Sequence, residues 1–196
     1  MKKWLPLIII VVILIGIFRW GVGLNNTMVE KQETARTQWA NVESAYQRRS
    51  DLIPNLVNTV KGYADFEKET LEGVIQARAN ATKTTIDPSN ITPEQMAQFQ
   101  ESQNSLTGAL SRLMVVVERY PDLKANQNFL ELQSQLEGTE NRINVERNRF
   151  NTVAKDYNIY IKKFPASVVA GFLNFDEMAL FQAAPGSEQA PEVNFD

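Results

Sequence analysis

The chain has 196 residues, with 20 Lys and Arg against 23 Asp and Glu for a net charge of −3, and it contains neither cysteine nor histidine. That length accommodates one membrane anchor and one folded domain with a real core. The even charge balance argues against a nucleic-acid footprint, and the missing thiols and imidazoles exclude disulfides, thiol nucleophiles, imidazole bases and any zinc site built from Cys or His.

Residues Trp4 to Phe18 are uncharged, and Trp20 to Leu24 extend the apolar stretch past a single Arg19. About 20 residues at ~1.5 Å each match a hydrocarbon core of ~30 Å, so 4–24 is expected to be a transmembrane helix. Trp4 and Trp20 stand where interfacial aromatics belong, and Arg19 is near enough to the end to snorkel. A cleaved signal peptide is the alternative, with Gly21-Val22-Gly23 as a small-x-small site. Arg19 just ahead of that site and the helical pattern after it favour a retained anchor. Lys2 and Lys3 oppose Arg19, Lys31 and Arg36, so the side of the membrane on which the domain lies stays open.

Three apolar stripes follow at helical spacing. The first runs Met28, Ala35, Trp39, Val42, Tyr46, Ile53, Leu56, Val60, Tyr63, broken by Gln32 and Arg49. The second runs Met96, Phe99, Leu106, Leu110, Leu113, Val117, Tyr120, broken by Gln103, and Thr92-Pro93-Glu94-Gln95 opens it as a capping box. The third runs Phe129, Leu132, Leu136, Ile143, Phe150, Val153, Tyr157, Tyr160, Phe164, broken by Thr139 and Glu146. Turn signals between them are few and tight. The pattern predicts an all-α, elongated antiparallel up-and-down bundle over 26–184, followed by a disordered tail over 185–196.

Pro54 sets the one ambiguous join. Asp51 as an N-cap and Pro54 in a first turn predict a chain reversal at Arg49-Ser50-Asp51 and four helices. The alternative is three long helices, the first kinked at Pro54. A reversal would place Arg48, Arg49, Asp51, Asp122 and Lys124 together at the membrane-distal tip, with Arg49 near Asp122, as a charged docking surface.

Chemistry is sparse. Asp65, Glu67, Glu69 and Glu72, and Glu131, Glu137 and Glu140, read foremost as solvated helix faces. Without histidine the Glu-x-x-His pairs of a di-iron bundle cannot form, so no catalytic, cofactor or metal residues are assigned. Gly62, Gly73 and Gly108 form no phosphate loop and are expected to allow close helix approach. Arg49 and Glu146 are charges at core-facing positions, as at a bundle end, a satisfied pair or an oligomer contact.

Two ordered blocks carry a family resemblance. Arg48-Arg49-x-Asp51-Leu52-Ile53-Pro54-Asn55-Leu56-Val57 with Val60-Lys61-Gly62-Tyr63-Ala64 and Glu67 forms the first. The second is Tyr120-Pro121-Asp122-Leu123-Lys124-Ala125-Asn126 with Phe129, Leu132-Gln133, Leu136, Thr139-Glu140, Ile143, Arg147 to Asn151 and Tyr157-Asn158. Together they resemble the signature of the LemA family, over Leu5 to about Ala183. The resemblance implies a bacterial single-pass inner-membrane protein with a helical domain, and it supplies no catalytic residues. It also implies links to membrane remodelling in magnetosome formation and proximity to membrane-bound metalloproteases. Phe66 departs from the histidine common in relatives, which puts any histidine-dependent role in doubt here.

The expected function is therefore a membrane-anchored scaffold or adaptor without catalytic activity. Its partners are the lipid bilayer and either a second copy or another membrane protein, such as a membrane metalloprotease by family analogy, with no nucleic acid. A membrane-shaping element, with Val168, Val169, Phe172, Leu173, Phe175, Leu180 and Phe181 on the bilayer, is the alternative, weakened by the lack of basic residues on its polar face. A carboxylate-based hydrolase or metal enzyme is the remote third.

Overall fold

The computed structural model describes residues 4–63 and 67–182, so Phe66, Asp65 and the expected tail lie outside the described residues. Six helices make up the order α1 (Leu5–Lys61), α2 (Lys68–Lys83), α3 (Pro93–Val117), α4 (Pro121–Lys124), α5 (Gln127–Lys162) and α6 (Ala166–Leu173). The all-α bundle inferred from the stripes is what forms.

α1 is a single helix of 57 residues, about 85 Å long at ~1.5 Å per residue, with Pro6 in its first turn and Pro54 inside it. Its N-terminal third is long and apolar enough to cross a membrane and packs against nothing in the chain. Side chains from Ile8 to Ile15 are more than two-fifths exposed, whereas Met28 is wholly buried. The bundle starts at that boundary.

The reversal expected at Arg49-Ser50-Asp51 does not occur, and the reason is local. Proline lacks the N–H that would bond the carbonyl four residues back, leaving the Ser50 carbonyl without its helical partner. Arg78 of α2 fills the gap, its Nε donating to the Ser50 carbonyl oxygen at 2.7 Å. Asp51 caps nothing. Its carboxylate accepts from Gln47 Nε2 at 2.7 Å, one turn earlier in the same helix.

The continuous α1 also explains the length of α5. Its 36 residues run antiparallel to the whole extramembrane part of α1, which removes the overhang that a four-helix reading leaves unexplained. α2 and α3 cover the distal half. There Leu52, Ile53, Leu56 and Val60 of α1 meet Leu71 and Val74 of α2, Leu106 and Leu113 of α3, Leu123 of α4, and Phe129 and Leu136 of α5.

α2 ends at Lys83, so the stripe from Met28 to Tyr46 needs other cover. The loop after α2 supplies Ile86 and Ile91, α3 supplies Met96 and Phe99, and α6 supplies Ala166 and Ala170. A strap completes the layer. Asn174 takes a left-handed conformation (φ 55°) at the end of α6, and the chain turns back along α5, burying Met178 and Phe181. Polar ties hold the strap. Ala179 N–H donates to Ile91 O at 2.9 Å, Asn151 brackets the Phe181 backbone at 2.9 and 3.0 Å, and Asn158 brackets that of Met178 at 2.8 and 2.9 Å. The first stripe of the continuous helix is therefore fully covered within the chain.

The glycines also depart from expectation. A Cβ at Gly73 or Gly108 would meet nothing within 4 Å, and at Gly62 only the Thr59 carbonyl at 3.6 Å, so none of them permits a close helix approach.

Candidate functional site

Between the two cores lies a polar layer built on Arg49. Its guanidinium is 3% exposed, and three helices converge on it. Nη2 donates to Gln103 Oε1 at 2.6 Å, while Nη1 donates to Glu140 at 3.0 Å and to Thr107 Oγ1 at 3.1 Å. The Tyr46 ring lies 5.1 Å from its centre, a cation–π contact. Gln103 carries the link onward, donating from Nε2 to Ala81 O at the end of α2 at 3.3 Å. α1, α2, α3 and α5 are thus tied at one level.

A cleft of about 90 Å³ opens beside this layer, lined by Glu43, Tyr46, Ser50, Phe99 and Gln103 among others. It has room for ordered water but falls well below the ~300 Å³ at which organic-ligand pockets begin. Burial pushes the Glu43 carboxyl and the Tyr46 hydroxyl above their ordinary values.

Glu146 sits in the proximal core at 1% exposure. Arg142 pairs with it at 2.7 Å and Arg149 at 3.1 Å, both one turn away on α5, and Gln38 Nε2 of α1 donates to its second oxygen at 2.6 Å. Both core-facing charges found in the sequence are therefore ion-paired, although the buried Arg49 Nε has no hydrogen-bond partner among the described residues. The stripe interruptions at Arg49, Gln103, Thr139 and Glu146 mark four buried polar residues; a fifth, Ser50, is off the stripe, and the interruption at Gln32 is only partly buried. Sequence reasoning did not find the partners: Gln103, Thr107 and Glu140 for Arg49, and Gln38 for Glu146.

The five residues expected at one tip are not brought together. Arg48, Arg49 and Asp51 lie about three turns short of the end of α1, where Arg48 Nη2 reaches Gln135 at 3.5 Å. Asp122 and Lys124 lie in α4 at the distal end, and Lys124 pairs with Glu118. Arg49 contacts Glu140 rather than Asp122, because the uninterrupted helix holds it inside the bundle. The tip itself is closed by other groups. Glu67 pairs with Arg119 at 2.8 Å and accepts from the Tyr120 hydroxyl at 3.2 Å, and Asn126 Nδ2 donates to the Tyr63 hydroxyl at 2.9 Å. Burial and the Glu67 carboxylate push the Tyr120 hydroxyl up.

The carboxylates considered for catalysis are dispersed. Glu72 pairs with Lys68 at 3.7 Å, Glu131 and Glu137 accept from glutamines one turn away, and Glu140 serves Arg49. Among the described residues no group of three or more acidic side chains could hold a metal ion.

The two sequence blocks thus build the joint and the tip of one helical bundle. The family model for the LemA family matches residues 38–195, which takes in both. The chain belongs to the LemA family. Protein LemA of Metamycoplasma hominis is 27% identical over 90% of this chain and 78% of its own length. Magnetosome protein MamQ 2 of Paramagnetospirillum magneticum is 28% identical over 83% of this chain, which spans 66% of that relative. Magnetosome protein MamQ of Magnetospirillum gryphiswaldense is 26% identical over the same shares. With the apolar helix at its start, this LemA-family chain is a membrane-associated helical protein, and a bacterial membrane location is supported.

Proposed function

We propose that the protein is a single-pass, membrane-anchored scaffold that presents an elongated bundle to a second copy or to another membrane protein. The observation that carries this is the continuity of α1. One helix of 57 residues forms both the apolar segment and the spine of the bundle, so the two are mechanically one body. The buried charges support it too. Arg49 and Glu146 are spent on holding helices together, which is what a rigid spacer requires and what a catalytic group does not do. A membrane metalloprotease is a candidate partner by family analogy alone.

The distal tip is the proposed docking surface, and Asp122 and Lys124 remain in it. Arg48 and Asp51 lie on the flank, and Arg49 acts by positioning. The test uses the full anchored chain in its native membrane, with Asp122→Cys or Lys124→Cys carrying a short crosslinker, since the protein has no other cysteine. Discrete crosslinked products at the tip, absent for Glu30→Cys near the membrane, are expected. A protein that stays uncrosslinked at the tip and runs as a strict monomer in detergent overturns the scaffold reading.

A further inference from the structure

We propose that the exposed face of α6 seats in the bilayer that α1 crosses, giving the bundle a second membrane contact beside its anchor. The inference rests on the reading of α1 as a membrane span. α6 is two-faced. Ala166 and Ala170, one turn apart, are 3% and 4% exposed and pack on the proximal core. Val168 and Phe172, also one turn apart, are 51% and 82% exposed, with Leu173 at 51% and Phe164, just before the helix, at 83%. Four large apolar side chains within ten residues is an apolar patch, unlike the isolated Val115, Leu130 and Val145 elsewhere.

Its position names the occupant. Lys31 lies 5.7 Å from the Tyr160 ring, which sets the level of the end of α5 against α1. Counting outward from that pair, Lys162 at the end of α5 comes level with about Val29, ~8 Å from Leu24, where the apolar span gives way to the bundle. Leu24 packs against the same cluster as Ala166 and Ala170. An apolar face at that height lies within the ~5–10 Å over which interfacial helices insert. No charge interrupts residues 164–173; of the two lysines just before them, Lys162 pairs with Glu177 at 2.6 Å, and Lys163 is the exposed cation at headgroup level.

The structure also removes the objection drawn from the sequence. A free surface helix needs a basic polar face, but the second face of α6 is packed on protein and needs none. Of the residues expected on the bilayer, Phe181 is buried under Trp39, and Val169, Phe175 and Leu180 are partly covered, which leaves Val168, Phe172 and Leu173, joined by Phe164.

The full-length protein is reconstituted one copy per nanodisc, in neutral and in anionic lipid, with single spin labels on Val168→Cys, Leu173→Cys, Ile13→Cys or Val145→Cys. Collision with oxygen reports lipid, and collision with a water-soluble nickel chelate reports water. Labels at 168 and 173 are expected to resemble Ile13→Cys, with oxygen accessibility high and nickel accessibility several-fold below that of Val145→Cys, in both lipids. If 13 lies in lipid while 168 and 173 behave like 145, the α6 contact is overturned and the anchor stands. If 13 is itself open to nickel, both readings fall. Labels at 168 and 173 shielded from both reagents overturn the bilayer in favour of protein cover.

Discussion

The bundle is made twice over, in two ways. Its distal half is enclosed by helices alone, with α1 to α5 each contributing to a core that is aliphatic among its described buried residues apart from Phe129. Its proximal half has lost α2, and a loop, a short helix and a returning strap fill the same sector. Aromatic rings do there what regular packing does above. Trp39 meets Phe99 at 5.4 Å and Phe150 at 5.2 Å edge-on, and stacks on Phe181 at 5.7 Å. The Arg147 guanidinium lies 4.6 Å from the centre of the Phe181 ring. A helix cut short can therefore be replaced by large rings on irregular backbone, provided that side-chain amides such as Asn151 and Asn158 satisfy the backbone they hold.

The sharpest way to break this comparison is at the strap. Phe181→Ala is expected to destabilise the protein by about 3–5 kcal/mol, as for buried aromatics generally. Hydrogen exchange should then rise in residues 28–46 and 150–161 while residues 52–60 and 106–117 keep their protection. Uniform loss of protection would show that the halves form one cooperative unit.

The joint between the halves comes next. Arg49→Met should cost about 2–3 kcal/mol in denaturant unfolding, below the ~3–5 kcal/mol of a fully buried broken pair because Glu140 is half-exposed and can rehydrate. The double variant Arg49→Met with Gln103→Leu should recover part of that, since it removes the orphaned amide as well as the charge. A double variant worse than the single one would mean that Gln103 is held by Ala81 rather than by Arg49.

In the distal half, Gly73→Ala and Gly108→Ala should each stabilise by up to about 1 kcal/mol, because a methyl group there meets only open space and alanine is the better helix former. A fall in melting temperature for either would reveal a contact that the open geometry denies.

The smallest effect is alkaline and proximal. Burial, with the Asp176 carboxylate, pushes the Tyr157 hydroxyl up to about 12, and it donates to the Asp176 carbonyl at 3.0 Å. Its contribution is complete below the ordinary tyrosine value of ~10 and is lost as pH rises from there through about 12. Tyr157→Phe, costing ~1 kcal/mol at neutral pH, should flatten the decline in stability over that window.

Which parts of this were legible in the sequence follows from their range. Stripes at helical spacing are local, and they traced α1, α3 and α5 with much of their buried faces, but no stripe marked α2, whose Leu71 and Val74 are buried, nor Ile86, Ile91, Leu123, Met178 and Phe181. The breaks at Arg49, Gln103, Thr139 and Glu146 located buried polar groups other than Ser50, though not who pairs with whom. Pro54 misled because its remedy is tertiary. Whether a proline ends a helix depends on who serves the carbonyl it abandons, and here the donor is Arg78, on a different helix. The tip cluster failed for the same reason, since a helix that does not turn cannot carry Arg49 to its end. The strap was unreadable because residues 175–182 have no period and are held by asparagines whose partners are backbone atoms.

That strap also imposes an order in time. α1 precedes its partners in the chain, and its apolar face from Met28 to Tyr46 emerges long before its cover exists. The distal half can close once Leu136 has been made, but Trp39 waits for Phe181. During translation the nascent protein is thus finished at the far end and open at the near one. Phe99 and Phe150 can reach Trp39 earlier, but its stacked cover is complete only once Phe181 has left the ribosome.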